Sequence, residues 1–240
     1  MIPKIVHYCW FGGKELPESA RRCIASWRKF LPGYEIKEWG EGNYDVRTTR
    51  YTTEAYERRK WAFVSDYARF DILYREGGLY FDTDVELIRP IDDIIERGAF
   101  MGIEVDGLVN PGLGLGAEAG MEVYKAVLDH YREASFVNER GEQIEGTVVG
   151  HTTGVLEGLG YKKGEGLQQV GGVWIYPSDY FNPLDNATGR LYVTDNTRAI
   201  HWYDRSWSNT SKAYTRTTRL LHRLLGKNSL GWLKRLLGRK

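Results

Sequence analysis

Residues 60–92, KWAFVSDYARFDILYREGGLYFDTDVELIRPID, decide how this chain is read. Projected at 100° per residue, 62–75 carries apolar side chains on nearly every side, which predicts a helix buried all round. Its polar exceptions fall into two groups. Asp71 and Arg75 are spaced i,i+4 as an ordinary ion pair, whereas Ser65, Asp66 and Arg69 share another face, where charge is costly unless partnered or functional. Gly77-Gly78 ends the helix in the usual C′ manner, and LYFDTDVEL reads as a strand with Pro90 behind it. Asp82 and Asp84 fall near its exit. Strand alternation puts both carboxylates on one face with Thr83 turned away, and two such anions repel unless a proton or a cation lies between them.

Upstream, KIVHYCW (4–10) reads as a mostly buried strand that stops at Gly12-Gly13, 17–30 as a helix ending before Pro32-Gly33, and YEIKEW as a second strand. This order is an α/β opening, and it aims Trp10 at the crevice where such sheets bind ligands. His7, on the first strand, reads as structural. Helical character runs from Thr53 to Glu76. Downstream, NPGLGLGAEAG (110–120) reads as a Gly-rich loop, with Asn110 able to line a pocket, and 121–133 as a helix. Residues 147–181 read as short strands and loops, in which Thr152-Thr153-Gly154 is either an acceptor-side loop or a turn. A surface hairpin is expected over 182–196, ahead of AIHWYDRSWS. No internal repeat is visible.

The 240 residues, 42% hydrophobic and 27% charged, suit one domain with an appendage and exclude disordered, collagen-like and disulfide-scaffold classes. No apolar run approaches the roughly 20 residues needed to cross a bilayer. Cys9 and Cys23 read as reduced and buried, which favours a reducing compartment, and the N-terminus lacks a secretory pattern. The net charge of +1 is uneven: 212–240 holds nine Lys/Arg and no acid, leaving 24 basic and 32 acidic residues in 1–211, a balance of −8. In that tail Leu220, Leu221, Leu224 and Leu225 share one helical face, as do Leu233, Leu236 and Leu237 with Trp232 nearby. These faces suit lipid better than a phosphate backbone. An anionic membrane surface, and not nucleic acid, is therefore the expected partner; a helix docked on the body is the plainer alternative.

The run 60–92 together with IPKIVHYCWFGG resembles the DXD-containing glycosyltransferases of family 32, the group of the yeast Golgi initiating α-1,6-mannosyltransferase and many bacterial capsule and O-antigen enzymes. More distantly it is similar to the clostridial glucosylating toxins. The resemblance covers 2–13 and 60–92, and more loosely 201–208. It implies an α/β, GT-A-like catalytic domain over 1–211 with a basic amphipathic helical tail over 212–240. It also implies a retaining transfer from a nucleotide sugar, UDP-hexose ahead of GDP-mannose, to a glycan or lipid-linked acceptor, with Mn²⁺ or Mg²⁺. Carried over by position, Trp10 would stack on the base, Asp66 and Arg69 would hold sugar and diphosphate, Asp82 would contact ribose and sugar hydroxyls, and Asp84 would bind the metal. His201, Ser206 and Trp207 match a C-terminal element that closes over metal and diphosphate. Trp202, however, stands where many relatives have a second histidine, so His201 is either a ligand or a structural residue. The setting implied is the cytoplasmic face of the membrane, in surface polysaccharide synthesis.

Two rivals remain at this stage. Asp82-Thr83-Asp84-Val85 formally matches the D-x-D-x-[TV] element of haloacid-dehalogenase-type phosphatases, which would make Asp82 a phosphoryl-accepting nucleophile. Eight Trp and sixteen Tyr would also suit a membrane-bound carbohydrate-binding module.

Overall fold

The computed structural model describes residues 1–164, 166–204 and 222. In chain order the elements are β1 Ile5–Cys9, α1 Glu18–Phe30, β2 Glu35–Trp39, α2 Arg50–Glu57, α3 Trp61–Glu76, β3 Gly78–Tyr80, β4 Val85–Leu87, α4 Asp92–Arg97, β5 Phe100–Ile103 and β6 Val109–Ala117. They continue with α5 Glu122–Glu133, α6 Val148–Gly158, β7 Gln168–Val170, β8 Val173–Tyr176, α7 Ser178–Phe181, β9 Leu184–Asp185, β10 Arg190–Leu191 and β11 Ala199–His201. A seven-stranded sheet runs β2-β1-β3-β6-β5-β8-β7. The pairings make β2, β1, β3, β5 and β8 point one way and β6 and β7 the other. The expected α/β class is what the structure shows.

Helices cover both faces because the strands alternate. On β1, Val6 and Tyr8 pack with Ile24 and Trp27 of α1, while Cys9 packs on the opposite side with α3 and α5. Helix α1 buries Ala20, Cys23, Ile24 and Trp27, an i, i+3, i+4, i+7 stripe, with Glu18 in its first turn and Arg28 and Lys29 in its last. Trp27 is wholly buried, and its Nε1 donates to the Val85 carbonyl at 2.8 Å, fastening α1 to the chain just past Asp84. Helix α3 is buried along most of its length, as its sequence requires, and stops at Gly77 (φ +68°) and Gly78 (φ +100°). An alanine Cβ at Gly78 would lie 2.8 Å from the Ile5 carbonyl, so the glycine is what lets α3 turn back into the sheet.

Several expectations change. The helix expected over 53–76 is two helices, parted where Arg59 takes φ +57°. LYFDTDVEL is not one strand: it divides into β3 and β4, and Phe81–Asp84 leaves the ladder between them. Residues 110–117 are not a loop but most of β6, buried at every position. Glycine at alternate positions misled the reading, because it lowers strand propensity while giving the rings of Phe81 and Phe100 room to lie against the backbone at Gly114 and Gly116. Residues 148–158 form helix α6. The hairpin expected over 182–196 is present as the antiparallel pair β9–β10. Cys9 and Cys23 are buried and free, as expected. Ser206, Trp207 and all of the 212–240 tail except His222 lie outside the described residues.

Candidate active site

Three strand ends bring the site together. β1, β3 and β5 run in parallel, so Trp10, Asp82 and Glu104 leave the sheet at one edge, where β6 begins with Val109 and Asn110. The antiparallel pairing of β11 with β4 sets His201 opposite Val85, and so beside Asp84. Between Gly102 and Met101 the β5–β6 register slips, and β6 bulges over 111–114. Pro111 fits there because a bulge needs no ladder N–H from it.

Asp82 is the hub. Its oxygens meet the Arg69 guanidinium at 3.3 and 3.4 Å and accept the Tyr80 hydroxyl at 3.1 Å, while its backbone N–H donates to the Gly112 carbonyl at 3.3 Å. Arg69, on α3, also reaches Asp66 at 3.0 Å and donates to the Ser65 carbonyl at 3.1 Å. The polar face of α3 thus has partners of its own within the fold. One guanidinium faces two carboxylates, however, and burial pushes the Asp66 carboxyl up to about 7 against the pull of Arg69 and with the push of Asp82. Burial, partly offset by Arg69, also raises Asp82.

Asp84 sits differently. Its Oδ1 lies 3.1 Å from His201 Nε2, and its Oδ2 accepts the Asp204 backbone N–H at 2.9 Å. Burial works to raise its pKa, but the His201 charge and hydrogen bond outweigh burial and hold it below the ordinary carboxylate value; His201 is raised in turn, against its own burial. Asp204 accepts the Ser19 hydroxyl at 2.5 Å, which ties the segment after β11 to α1.

Ligand atoms of Asp82, Asp84 and His201 all lie within 4.8 Å of one another. Two carboxylates and an imidazole are a donor set for a divalent ion, and His201 Nδ1 is buried with no hydrogen-bond partner among the described residues. The residues present therefore fit a metal. Trp10 is partly exposed at the exit of β1, its Nε1 donating to the Lys14 carbonyl at 2.5 Å. His7 is structural: its Nε2 contacts the Gly77 carbonyl at 3.0 Å, and Trp39 Nε1 donates to its Nδ1 at 3.0 Å.

Sequence reading passed over three neighbours of this cluster, Glu104, Asn182 and Tyr203. Asn110 Nδ2 donates to Glu104 Oε1 at 2.7 Å, and the Tyr203 hydroxyl lies between Glu104 Oε1 (3.3 Å) and Asn182 Oδ1 (3.1 Å). Glu104 carried one usable signal: it closes a buried FMGI strand just before the Asp106-Gly107 turn, at the sheet edge that carries Asp82.

Residues 17–101 match the family model described as a glycosyltransferase sugar-binding region containing a DXD motif. Inositol phosphoceramide mannosyltransferase 3 of Schizosaccharomyces pombe is 30% identical over 108 residues, covering 42% of this chain and 29% of that protein. An uncharacterized glycosyltransferase of Acanthamoeba polyphaga mimivirus is 28% identical over 110 residues, 42% of each. The chain thus spans less than half the length of these relatives. Among solved structures, PaToxG glycosyltransferase aligns over 65% of this chain and 69% of its own, at 19% identity and a TM-score of 0.49. The likeness to the DXD-containing glycosyltransferase sugar-binding region is thus carried by residues 17–101.

Proposed function

We propose that the protein is a retaining, metal-dependent glycosyltransferase that moves a hexose from a nucleotide sugar to a glycan or lipid-linked oligosaccharide. The observation that carries this reading is the convergence of Asp82, Asp84 and His201 beside a buried arginine, at the strand edge of a region matched to a DXD family. A divalent ion, when bound, supplies positive charge where the leaving diphosphate becomes more negative.

Asp84 and His201 hold that ion, and the imidazole favours Mn²⁺ over Mg²⁺. Arg69, fixed by Asp66 and Asp82, presents a permanent cation to the diphosphate. Asp82 and Asp66 accept hydrogen bonds from ribose and sugar hydroxyls, and Asn110 lines the sugar pocket. Trp10 stacks on the base. Ser206 and Trp207 complete the donor-binding set in this reading. For retention, the acceptor hydroxyl attacks the face from which the diphosphate leaves, and the departing phosphate takes its proton.

UDP-hexose is the donor we favour, with GDP-mannose its competitor because two S. pombe relatives are named mannosyltransferases. The setting is surface polysaccharide synthesis at the inner membrane face, reached through residues 212–240. The deciding experiment is a panel of nucleotide sugars, with Mn²⁺ and with chelator, read by thermal shift and nucleotide release. We expect one donor class to stabilise the protein and release its nucleotide only with metal. Hydrolysis of a phosphomonoester, with no response to any nucleotide sugar, would return the phosphatase reading.

A further inference from the structure

The roles above leave one carboxylate at the same sheet edge without a task. Glu104 directly follows β5. In the strand order β1-β3-β6-β5, Trp10 and Glu104 stand on opposite flanks of Asp82. A nucleotide on the Trp10 flank leaves the Glu104 flank as the approach for the second substrate.

Glu104 is also held in place. Both of its hydrogen bonds, from Asn110 Nδ2 and from the Tyr203 hydroxyl, fall on Oε1. Each donor leads back to the DXD segment. Asn110 Oδ1 accepts the Gly112 N–H at 2.7 Å, and a Cβ at Gly112 would run into the Asp82 carboxylate. The Tyr203 ring lies 4.1 Å from that of His201, which contacts Asp84. Tyr203 takes φ +53°, a strained backbone for a tyrosine, which persists only where the surroundings fix it. One carboxylate oxygen is thus clamped, and Oε2 has no hydrogen-bond partner among the described residues.

We propose that Glu104 is the acceptor-binding carboxylate: Oε2 accepts a hydrogen bond from a hydroxyl of the acceptor sugar beside the attacking one, and so holds the attacking oxygen at the face of C1 from which the diphosphate departs. This rests on the glycosyltransferase reading above. A carboxylate oxygen accepts, so Oε2 selects a hydroxyl donor, and fixing that neighbour leaves the attacking hydroxyl's own proton to face the departing phosphate. In the transfer the bond from acceptor oxygen to C1 forms as the bond from C1 to the phosphate oxygen breaks. The attacking hydroxyl's proton passes to the departing phosphate, and Glu104 takes no proton in the step.

Glu104→Gln tests this sharply. The amide oxygen can still receive Asn110 and Tyr203, while an NH₂ donor replaces Oε2. The full-length protein with Mn²⁺ is given UDP-glucose, UDP-galactose and GDP-mannose, with and without a panel of p-nitrophenyl hexosides at high concentration. Transfer and donor hydrolysis are measured separately. Loss of a charge-assisted hydrogen bond predicts that the ratio of transfer to hydrolysis falls about tenfold or more, with a raised acceptor KM. Tyr203→Phe removes one restraint on Oε1 and should lower the same ratio by a smaller factor; it decides the matter if Glu104→Gln does not fold. An unchanged ratio in the folded variant overturns the assignment. So does a wild-type protein whose donor hydrolysis no hexoside intercepts. A wild-type protein that releases nucleotide from none of the three donors overturns the glycosyltransferase reading itself, a distinct result.

Discussion

Asp84 and Asp82 are two residues apart yet live in different electrostatic surroundings. Asp84 is drawn toward its charged form by His201, while Asp82 shares Arg69 with Asp66 and is raised by burial. Replacing Asp84 with alanine should abolish transfer and the Mn²⁺-dependent thermal shift with donor while leaving a folded protein; retained nucleotide release at wild-type rate would remove Asp84 from the metal site. Gly112 tests the same spot from the backbone. Gly112→Ala should push Asp82 aside, lowering nucleotide release more than tenfold, with a stability loss of about 1–3 kcal/mol by urea titration. At this scale much was legible: Asp66, Arg69, Asp82, Asp84 and His201 do come together, because their spacing is local or their motif distinctive. Glu104 and Tyr203 were not. A glutamate before a turn is ordinary in sequence, and the importance of Tyr203 lies in a backbone angle and in partners that follow β5 and α7, Glu104 and Asn182.

Among the elements, α3 could be read from apolar side chains on nearly every side, whereas β6 could not. Its glycines look like loop until the rings that fill their place are known. The pair of carboxylates was placed correctly, but strand alternation was the wrong cause: Phe81–Asp84 lies outside the ladder, and Arg69 and His201 set the two carboxylates. His7 joins β1, β2 and the end of α3, and it yields a pH prediction. Burial pushes it down to about 4 from an ordinary 6.5. Between those values the unfolded chain binds a proton that the folded protein refuses, so stability present above pH 6.5 is lost as pH falls toward 4. At pH 5 the loss from this residue is about 2 kcal/mol. Asp66, raised by burial, works in the opposite sense over much of the same range. The measurement is therefore a difference: urea titrations at pH 7 and pH 5 should show the wild type losing about 2 kcal/mol more than His7→Gln, and equal losses would contradict the assignment.

For the molecule as a whole, charge is divided between an acidic body and a basic end. No described helix is long and apolar enough to cross a membrane. Deleting 212–240 should release the protein from anionic liposomes and leave turnover of a soluble acceptor largely intact; added salt should weaken liposome binding of the full chain. Retained binding by the shortened chain would refute the tail's role. The sheet order could not be read in advance, since a strand mistaken for a loop removes the link between β3 and β5. The glycines of β6 have a practical consequence as well. They act as a shim of fixed thickness, under the Asp82 carboxylate at 112 and under the rings of Phe81 and Phe100 at 114 and 116, so a broader side chain at any of them must displace what rests on it. A laboratory retuning which hexose is moved should keep positions 112, 114 and 116 untouched.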